Sequence, residues 1–470
     1  MRKSIILVLL TCSCLLRGQG WTNLIDSIPW GLANFQSAQL DTLTNTLYIG
    51  GYFQNFNEFN TNSIIKYDGI TFDTLQSGLD DQGSTVPVVK SMQMFQNKLY
   101  VFGNFFKTGR YWCNNIGRWN GASWDTVNFH PKNGTVWHSD VYNNELYVAG
   151  DFDTIGGIAS NCISKFDGTN WYNIGHPVRP NIISAIKNFK GKLYMAGQVT
   201  PSSSSANLSY YDGSNWIPFV GVSGNNNKEI FGLTVIDSML YVYGRFNSIA
   251  GTNCKGLAAF NGTNWYGFGD GLATSNWEAI ENVQKINGKI YISGVFDTIE
   301  SLSTSDLPAQ LYTCLADFDG TKWCTFSPPF DNDVLGVVEY KNNLYTYGGF
   351  RKIGQDSVWG FVRWNGGNTT IACSPTLSIT KGTVGIEEFI SFDNLKIYPN
   401  PVKDKLNIEF VSFELSDVKL ELCYSLGQVV STLENPKKNQ QIDLSDFSTG
   451  VYFLKIRTTS EQKVFKIIKQ

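Results

Sequence analysis

The stretch Leu146-Tyr147-Val148-Ala149-Gly150-Asp151-Phe152, answered downstream by Phe166-Asp167-Gly168-Thr169-Asn170-Trp171, decides the fold because the chain repeats it. Leu47-Tyr48, Leu99-Tyr100, Leu193-Tyr194, Leu240-Tyr241, Ile290-Tyr291 and Leu344-Tyr345 match Leu146-Tyr147. The seven tyrosines follow one another at intervals of 52, 47, 47, 47, 50 and 54 residues. Three residues after each stands a glycine: Gly51, Gly103, Gly150, Gly197, Gly244, Gly294 and Gly348. An aromatic residue, Asp or Asn, and Gly follow, and then Trp124, Trp171, Trp216, Trp265 or Trp323, with Phe72 in the first repeat. Self-similarity at this period, with apolar alternation and turn residues but no 3.6-residue periodicity, predicts four short antiparallel strands per repeat.

The composition agrees. Of 470 residues, 31 are Phe, 22 Tyr, 13 Trp and 45 Gly, while only 16% are charged. Such a chain can bury a large core and reads as all-β rather than disordered. A formal charge of −3 gives no electrostatic footprint for nucleic acid.

The ends of the array supply a second argument. The seventh repeat reaches Trp364-Asn365-Gly366 but lacks a following Trp strand. Trp21-Thr22-Asn23-Leu24 looks like that strand, displaced to the other terminus. Donated to the last repeat, it would close a ring and remove an open edge. The expectation is a seven-bladed β-propeller over residues 21–372, closed by an N-terminal strand. The Gly, Asp/Asn-Gly and Trp pattern resembles kelch-type propellers. The fuller string is similar to repeats of fungal cortical-marker proteins and bacterial surface proteins. That resemblance implies architecture and is silent on ligand.

Residues 1–20 read as a signal peptide: Arg2 and Lys3, an apolar run from Ile5 to Leu16, then Gly18-Gln19-Gly20. Cleavage is expected between Gly20 and Trp21. No later run approaches the length of a membrane-spanning helix. Cysteines 113, 162, 254, 314, 324, 373 and 423 then remain, too scattered for a disulfide framework. Cys314 and Cys324 flank one hairpin and could pair across it. Cys162 and Cys314 hold matching repeat positions and read as small core residues.

Every Trp lies at or before Trp364, and the last 76 residues hold 20 of the 77 charged ones. That break sets a linker at 373–394 and a small β-sandwich at 395–470. Leu395-Lys396-Ile397-Tyr398-Pro399-Asn400-Pro401, then Gly427, then Gly450-Val451-Tyr452 resemble the C-terminal sorting domain of type IX secretion. The resemblance implies a Bacteroidetes-type bacterium, export across the outer membrane by the type IX machinery, and a passenger released or held at the cell surface. In that setting Asp-Ser/Thr-apolar triplets resemble O-glycosylation acceptors, at Thr42, Thr74, Thr126, Thr154, Ser238 and Thr298.

Catalytic motifs are absent: there is no HExxH, GxSxG or P-loop, and only three histidines, His130, His138 and His176. No metal or cofactor is expected, and a monomer is expected. Residues that repeat are architecture, so function should sit in what does not repeat. Trp30, Trp112, Trp137, Trp277, Trp359 and His138 fall in or beside the loops that share one face of such a ring. Exposed aromatic residues on one face suit a sugar- or peptide-binding surface. The expected function is therefore a secreted, non-catalytic glycan- or protein-binding module. The alternative is an extracellular lyase or hydrolase using carboxylates at the channel mouth, with Asp151 and Asp153 as possible members.

Overall fold

A computed structural model describes residues 20–28, 33–80, 86–125, 131–174, 182–198, 207–223, 229–268, 279–296, 298–299, 302–303, 314–326, 328–366, 370–373, 380–382, 395–410, 418–424, 429–434, 436–457 and 462–470. The described elements are all strands, so the protein is all-β. The chain divides into two units, 1–384 and 385–470.

Among the described residues the first unit holds seven main antiparallel sheets, one per repeat: five of four strands, and sheets five and six of five. Sheet three shows the plan: Val136–Tyr142, Glu145–Gly150, Ile163–Phe166 and Trp171–Asn173 pair in sequence order. The first strands of the other sheets are Ala33–Asp41, Val88–Phe95, Ile182–Phe189, Glu229–Ile236, Ala279–Ile286 and Val334–Tyr340. In sheet seven the fourth place is taken by Trp21–Asn23, whose Trp21 lies opposite Trp364 on Phe361–Trp364.

Three repeated features explain why these sequences fold alike. Leu47, Leu99 and Leu146 are fully buried, as are the aromatic rings of Trp124, Trp265 and Trp323. Each such ring removes ~150–250 Å² from water. The indole of Trp124 also donates to the carbonyl of Leu75, at the end of sheet one, at 2.9 Å, and that of Trp216 to Ile174, at the end of sheet three, at 2.6 Å. The Asp/Asn-Gly turns fold around their own side chains: Asp167 Oδ1 accepts from the amides of Thr169 and Asn170, each at 2.7 Å. The glycine that follows, Gly168, adopts φ +107°, which a side chain would oppose.

First strands of successive sheets lie against one another from one through seven, and those of sheets one and seven also touch. Side chains repeat the relationship at the turns. Gln96 of sheet two donates to the carbonyl of Asp167 in sheet three at 3.2 Å, and Lys190 of sheet four to Asn261 in sheet five at 2.5 Å. Lys341 of sheet seven reaches Asp68 of sheet one in the same manner. Tyr340 also donates to Asn45 of sheet one, at 2.6 Å.

Two strands fall after the seventh repeat. Thr370–Cys373 adds to the outer edge of sheet six, and Thr380–Gly382 to that of sheet five. Cys373 and Thr380–Gly382, within the stretch expected as linker, thus pair with two sheets. The expected Cys314–Cys324 pairing is not formed. Cys324 is disulfide-bonded, with Cys373 opposite it in the ladder, whereas Cys314 is a buried thiol. Cys314 sits before the third strand of sheet six and packs inward with Leu315 and Phe330. Cys162 is a buried thiol too, as expected of a core residue.

The second unit is a small sandwich of two antiparallel sheets. One holds Leu395–Tyr398, Lys405–Phe410 and Asn439–Asp443; the other holds Val429–Glu434, Lys419–Tyr424, Gly450–Arg457 and Gln462–Lys469. Leu406, Ile408 and Phe410 from the first meet Leu420, Leu454 and Ile467 from the second in one core. Asn400 pins the last strand: its Nδ2 donates to the carbonyl of Lys466 at 2.7 Å, and its Oδ1 accepts from the amide of Ile468 at 2.9 Å. Tyr398, Pro399 and Asn400 are exposed, while Tyr452 is buried and donates to the carbonyl of Ser448. Gly450 opens the strand that carries Tyr452, and Gly427 lies outside the described residues.

Candidate ligand-binding face

All seven first strands break register at one repeat position. The residue left out of the ladder is Gln36, Lys90, Trp137, Ser184, Phe231, Glu281 or Leu335 in sheets one to seven. The repeated glycine of the second strand allows this bulge. A Cβ on Gly103 would lie under 3.0 Å from the carbonyl oxygen of Val88. The same clash would arise between Gly51 and Asn34, Gly150 and Thr135, Gly244 and Glu229, Gly294 and Ala279, and Gly348 and Asp333. A bulge re-aims its extra side chain and bends the strand. Here it does so at the strand ends nearest the inter-sheet connections.

Three bulged residues, Lys90, Trp137 and Ser184, make contacts between neighbouring sheets. Ser184 Oγ donates to the carbonyl of Ile230 in the next sheet. Lys90 Nζ lies 5.3 Å from the ring centre of Trp137, and Ser91 and Ser139 hydroxyls approach to 3.4 Å. Arg245 covers Phe231 at 5.5 Å, and Arg351 covers Trp359 at 5.9 Å. Three cations over three aromatic rings thus occur on this end of the sheets, a contact worth about 0.5–2 kcal/mol depending on desolvation. The Arg351 guanidinium also donates to the carbonyls of Gly349, Phe350 and Ala33, tying sheet seven to sheet one.

Electrostatics set one sector apart. Burial, then the neighbouring Asp333 and Glu229 charges, push the Glu281 carboxyl up to about 7 against the pull of Arg245. Burial likewise raises Asp333 and lowers Arg351, whose neighbours Asp331 and Asp333 oppose that loss. A carboxylic acid held at about 7 can give or take a proton near neutrality. Tyr243 and Tyr347 flank the sector, and each ring fills space over a glycine, Gly232 or Gly336, where a Cβ could not fit. Burial raises both phenols, so both stay neutral donors.

Of the residues the sequence singled out, Trp137 is itself a bulged residue and Trp359 lies under Arg351. His138 follows Trp137, and burial pushes its imidazole down to about 4, so it is neutral near pH 7. Trp112 is 54% exposed on the short hairpin Lys107–Thr108/Tyr111–Trp112, with Lys107 Nζ 4.4 Å from its ring centre. Trp30, Trp277, His130 and His176 lie outside the described residues. Asp151 and Asp153 bind the loop before the first strand: Asp151 accepts from the amide of Thr135 at 2.5 Å, and Asp153 from Asn133 at 2.8 Å. Among the described residues no His/Cys/Asp/Glu group is arranged to hold a metal ion. The Cys113 and Cys254 thiols are pushed up to about 12 by burial and are not nucleophiles at neutral pH.

Sequence reasoning missed Lys90, Phe231, Arg245, Glu281, Asp333 and Arg351. A signal was present. In six repeats the bulged residue stands thirteen positions before the repeated glycine; in the first repeat, Gln36 stands fifteen before Gly51.

The Asp-Ser/Thr-apolar triplets divide by environment. Thr42 and Ser238 are exposed in turns, Thr74 is half-buried in a strand, and the hydroxyl of Thr154 is buried. Thr126 lies outside the described residues, and Thr298 belongs to the short strand Thr298–Ile299.

Comparison with known proteins gives one family. Residues 396–470 match the secretion system C-terminal sorting domain. No curated protein matches the chain. Among solved structures, YjhT is similar at 14% identity over 57% of this chain and 92% of its own, with a TM-score of 0.37. The extracellular domain of the putative one component system BT4673 from B. thetaiotaomicron is 12% identical over 92% and 74%, with a TM-score of 0.19. An alpha-L-arabinofuranosidase from Clostridium thermocellum is 10% identical over 50% and 89%, with a TM-score of 0.29. Together with the pinned last strand, the family match identifies residues 396–470 as a type IX secretion C-terminal sorting domain, which directs this chain to the cell surface or the extracellular space.

Proposed function

We propose that the exported chain is a seven-bladed, kelch-like β-propeller whose bulged face binds a glycan or a glycan-bearing protein. In this reading the signal peptide leaves between Gly20 and Trp21. Trp21–Asn23 then closes the ring, and the sorting domain delivers a monomer outside the cell. The repeated turn contacts and the contact between sheets one and seven support the ring.

The observation that carries the binding reading is the bulge position. The surrounding ladder repeats, yet its seven residues are Gln, Lys, Trp, Ser, Phe, Glu and Leu. Fold demands would repeat there; a ligand's asymmetric surface would not. Trp137, Phe231 and Trp359 supply flat apolar area, and the cations over them supply polar edges. The test is retention of the mature chain on a panel of polysaccharides and glycoproteins. Trp137→Ala should lose retention, and unchanged retention would overturn the reading.

A second reading, a carbohydrate-active enzyme, is favoured by the Glu281 sector alone. It requires new reducing ends to appear in the same panel and to vanish in Glu281→Gln. Retention without product leaves the binding reading in place.

A further inference from the structure

A cleft of about 580 Å³ opens between sheets five and six at the turn ends of their strands, away from the bulges. Buried Tyr241, Phe268 and Phe318 line it together with half-buried Met239, Tyr266 and Ile290. Asp237, Lys285 and Asn261 add polar groups, with Asp237 exposed at the mouth.

Two repeat positions that vary from sheet to sheet shape this cleft. Four residues before the repeated Tyr, sheets two, four and seven carry Gln96, Lys190 and Lys341, which bridge to the glycine turn of the next sheet. Sheet five carries Asp237 there, and its carboxylate pairs with Lys285 at 2.5 Å instead. No atom lies within 4 Å of where a Cβ on Gly320, the facing turn glycine, would stand, as is also true at Gly121, Gly213 and Gly366, the other turns without a bridge. Two residues before the same Tyr, Lys98 pairs with Asp125 at 3.6 Å, Glu145 with Lys165 at 2.8 Å and Lys289 with Asp317 at 2.9 Å. Lys192 lies 4.0 Å from the Tyr210 ring centre. Sheet five has Met239 there. Sheet five therefore lacks the side chain that would bridge this gap, and the one that would charge its wall.

We propose that this cleft is a saccharide-binding site separate from the bulged face, taking one or two neutral sugar residues. The volume falls in the ordinary range for small ligands. Aromatic faces suit the C–H face of a pyranose ring. The polar set offers both acceptors and donors, as hydroxyl groups require: the Asp237 carboxylate, the Lys285 ammonium and the Asn261 amide. The Tyr266 hydroxyl is oriented in advance by Asn261 Nδ2 at 3.1 Å. A lipid chain would strip water from the Asp237–Lys285 pair and return no hydrogen bond. Because that pair is neutral overall, it favours an uncharged sugar over a uronate or amino sugar.

The experiment is saturation-transfer NMR on the mature chain with cellobiose, maltose and lactose as probes. Transfer to at least one is expected. Met239→Lys, which installs the residue sheets two, four and six already carry, should weaken that probe about tenfold or more, equivalent to about 1.4 kcal/mol. Tyr266→Phe keeps the ring and removes the hydroxyl; it should weaken the same probe even if Met239→Lys fails to fold. In a Trp137→Ala background, which removes the bulged face's contribution, transfer should remain and Tyr266→Phe should still weaken it. No transfer from any probe, or unchanged transfer in Tyr266→Phe, overturns the site. Loss in Trp137→Ala alone assigns the signal to the bulged face and also overturns it. Separate failure of the polysaccharide panel with these signals intact would sink the bulged-face reading instead.

Discussion

The indole of Trp21 lies 4.7 Å from that of Trp364, centre to centre, and the two residues are register partners although 343 positions apart in sequence. Phe330 at 5.6 Å and Phe326 at 6.0 Å, from the neighbouring sheet and its exit, complete the contact. Trp21→Ala should therefore lower unfolding stability by about 2–3 kcal/mol, below the cost for a fully buried ring because Trp21 is half-buried. Denaturant melts of the mature chain with and without residues 21–24 check it. A first strand that merely decorates sheet seven would leave the midpoint unmoved.

Gly103→Ala should destabilise by about 3 kcal/mol, because the bulge brings the Val88 carbonyl onto the added methyl. Gly221→Ala is the matched control. Its Cβ would meet nothing nearer than 3.9 Å, and a change within about 0.5 kcal/mol is expected. Equal effects would detach the repeated glycines from the bulges.

Glu281 predicts a pH dependence of definite sign. Its folded value of about 7 stands above the ordinary carboxylate value, so the folded state holds the proton more tightly. The stability this confers is complete below about pH 4 and is lost as pH rises through 7. Glu281→Gln should flatten that fall, by on the order of 1–3 kcal/mol between the two limits. Melting temperatures across this window measure it; parallel profiles for the two proteins would refute it.

Peptide mapping without reductant should show Cys324 linked to the peptide bearing Cys373, its partner in the ladder. Cys324→Ser should cost about 2–4 kcal/mol. A bridge from Cys324 to Cys314 would contradict the strand pairing.

If the Asp-Ser/Thr-apolar triplets accept sugars, exposure should choose among them. Glycopeptide mass spectrometry of the secreted chain is expected to find Thr42 and Ser238 modified and Thr154 bare, since the Thr154 hydroxyl is buried in a short hairpin. Modification at Thr154 would show that transfer precedes folding.

The strands were legible because Leu-Tyr, Gly and Trp recur with the pleat, and a repeat displays its own alignment. The bulges were not, because a bulge leaves its mark on a neighbour: Gly150 is constant so that Trp137 can vary. The same logic hid Glu281, which looks like an ordinary charge in a strand until Asp333 and Glu229 are brought beside it. Thr370–Cys373 straddles the expected boundary between array and linker, and Thr380–Gly382 falls in the expected linker, since strands this short carry no periodicity of their own. Their pairing depends on open edges at sheets six and five. Asp153-Thr154-Ile155 resembles an acceptor motif, yet its Ile155 is fully buried, so the triplet also serves the fold.

The seven register breaks separate two kinds of inheritance. Residues in the ladder are bound to partners on either side and cannot change alone. A residue outside the ladder owes nothing to the strand opposite, provided the glycine stays. A lineage could therefore rewrite Gln36, Lys90, Trp137, Ser184, Phe231, Glu281 and Leu335 one at a time, keeping the scaffold while changing the side chains it presents there.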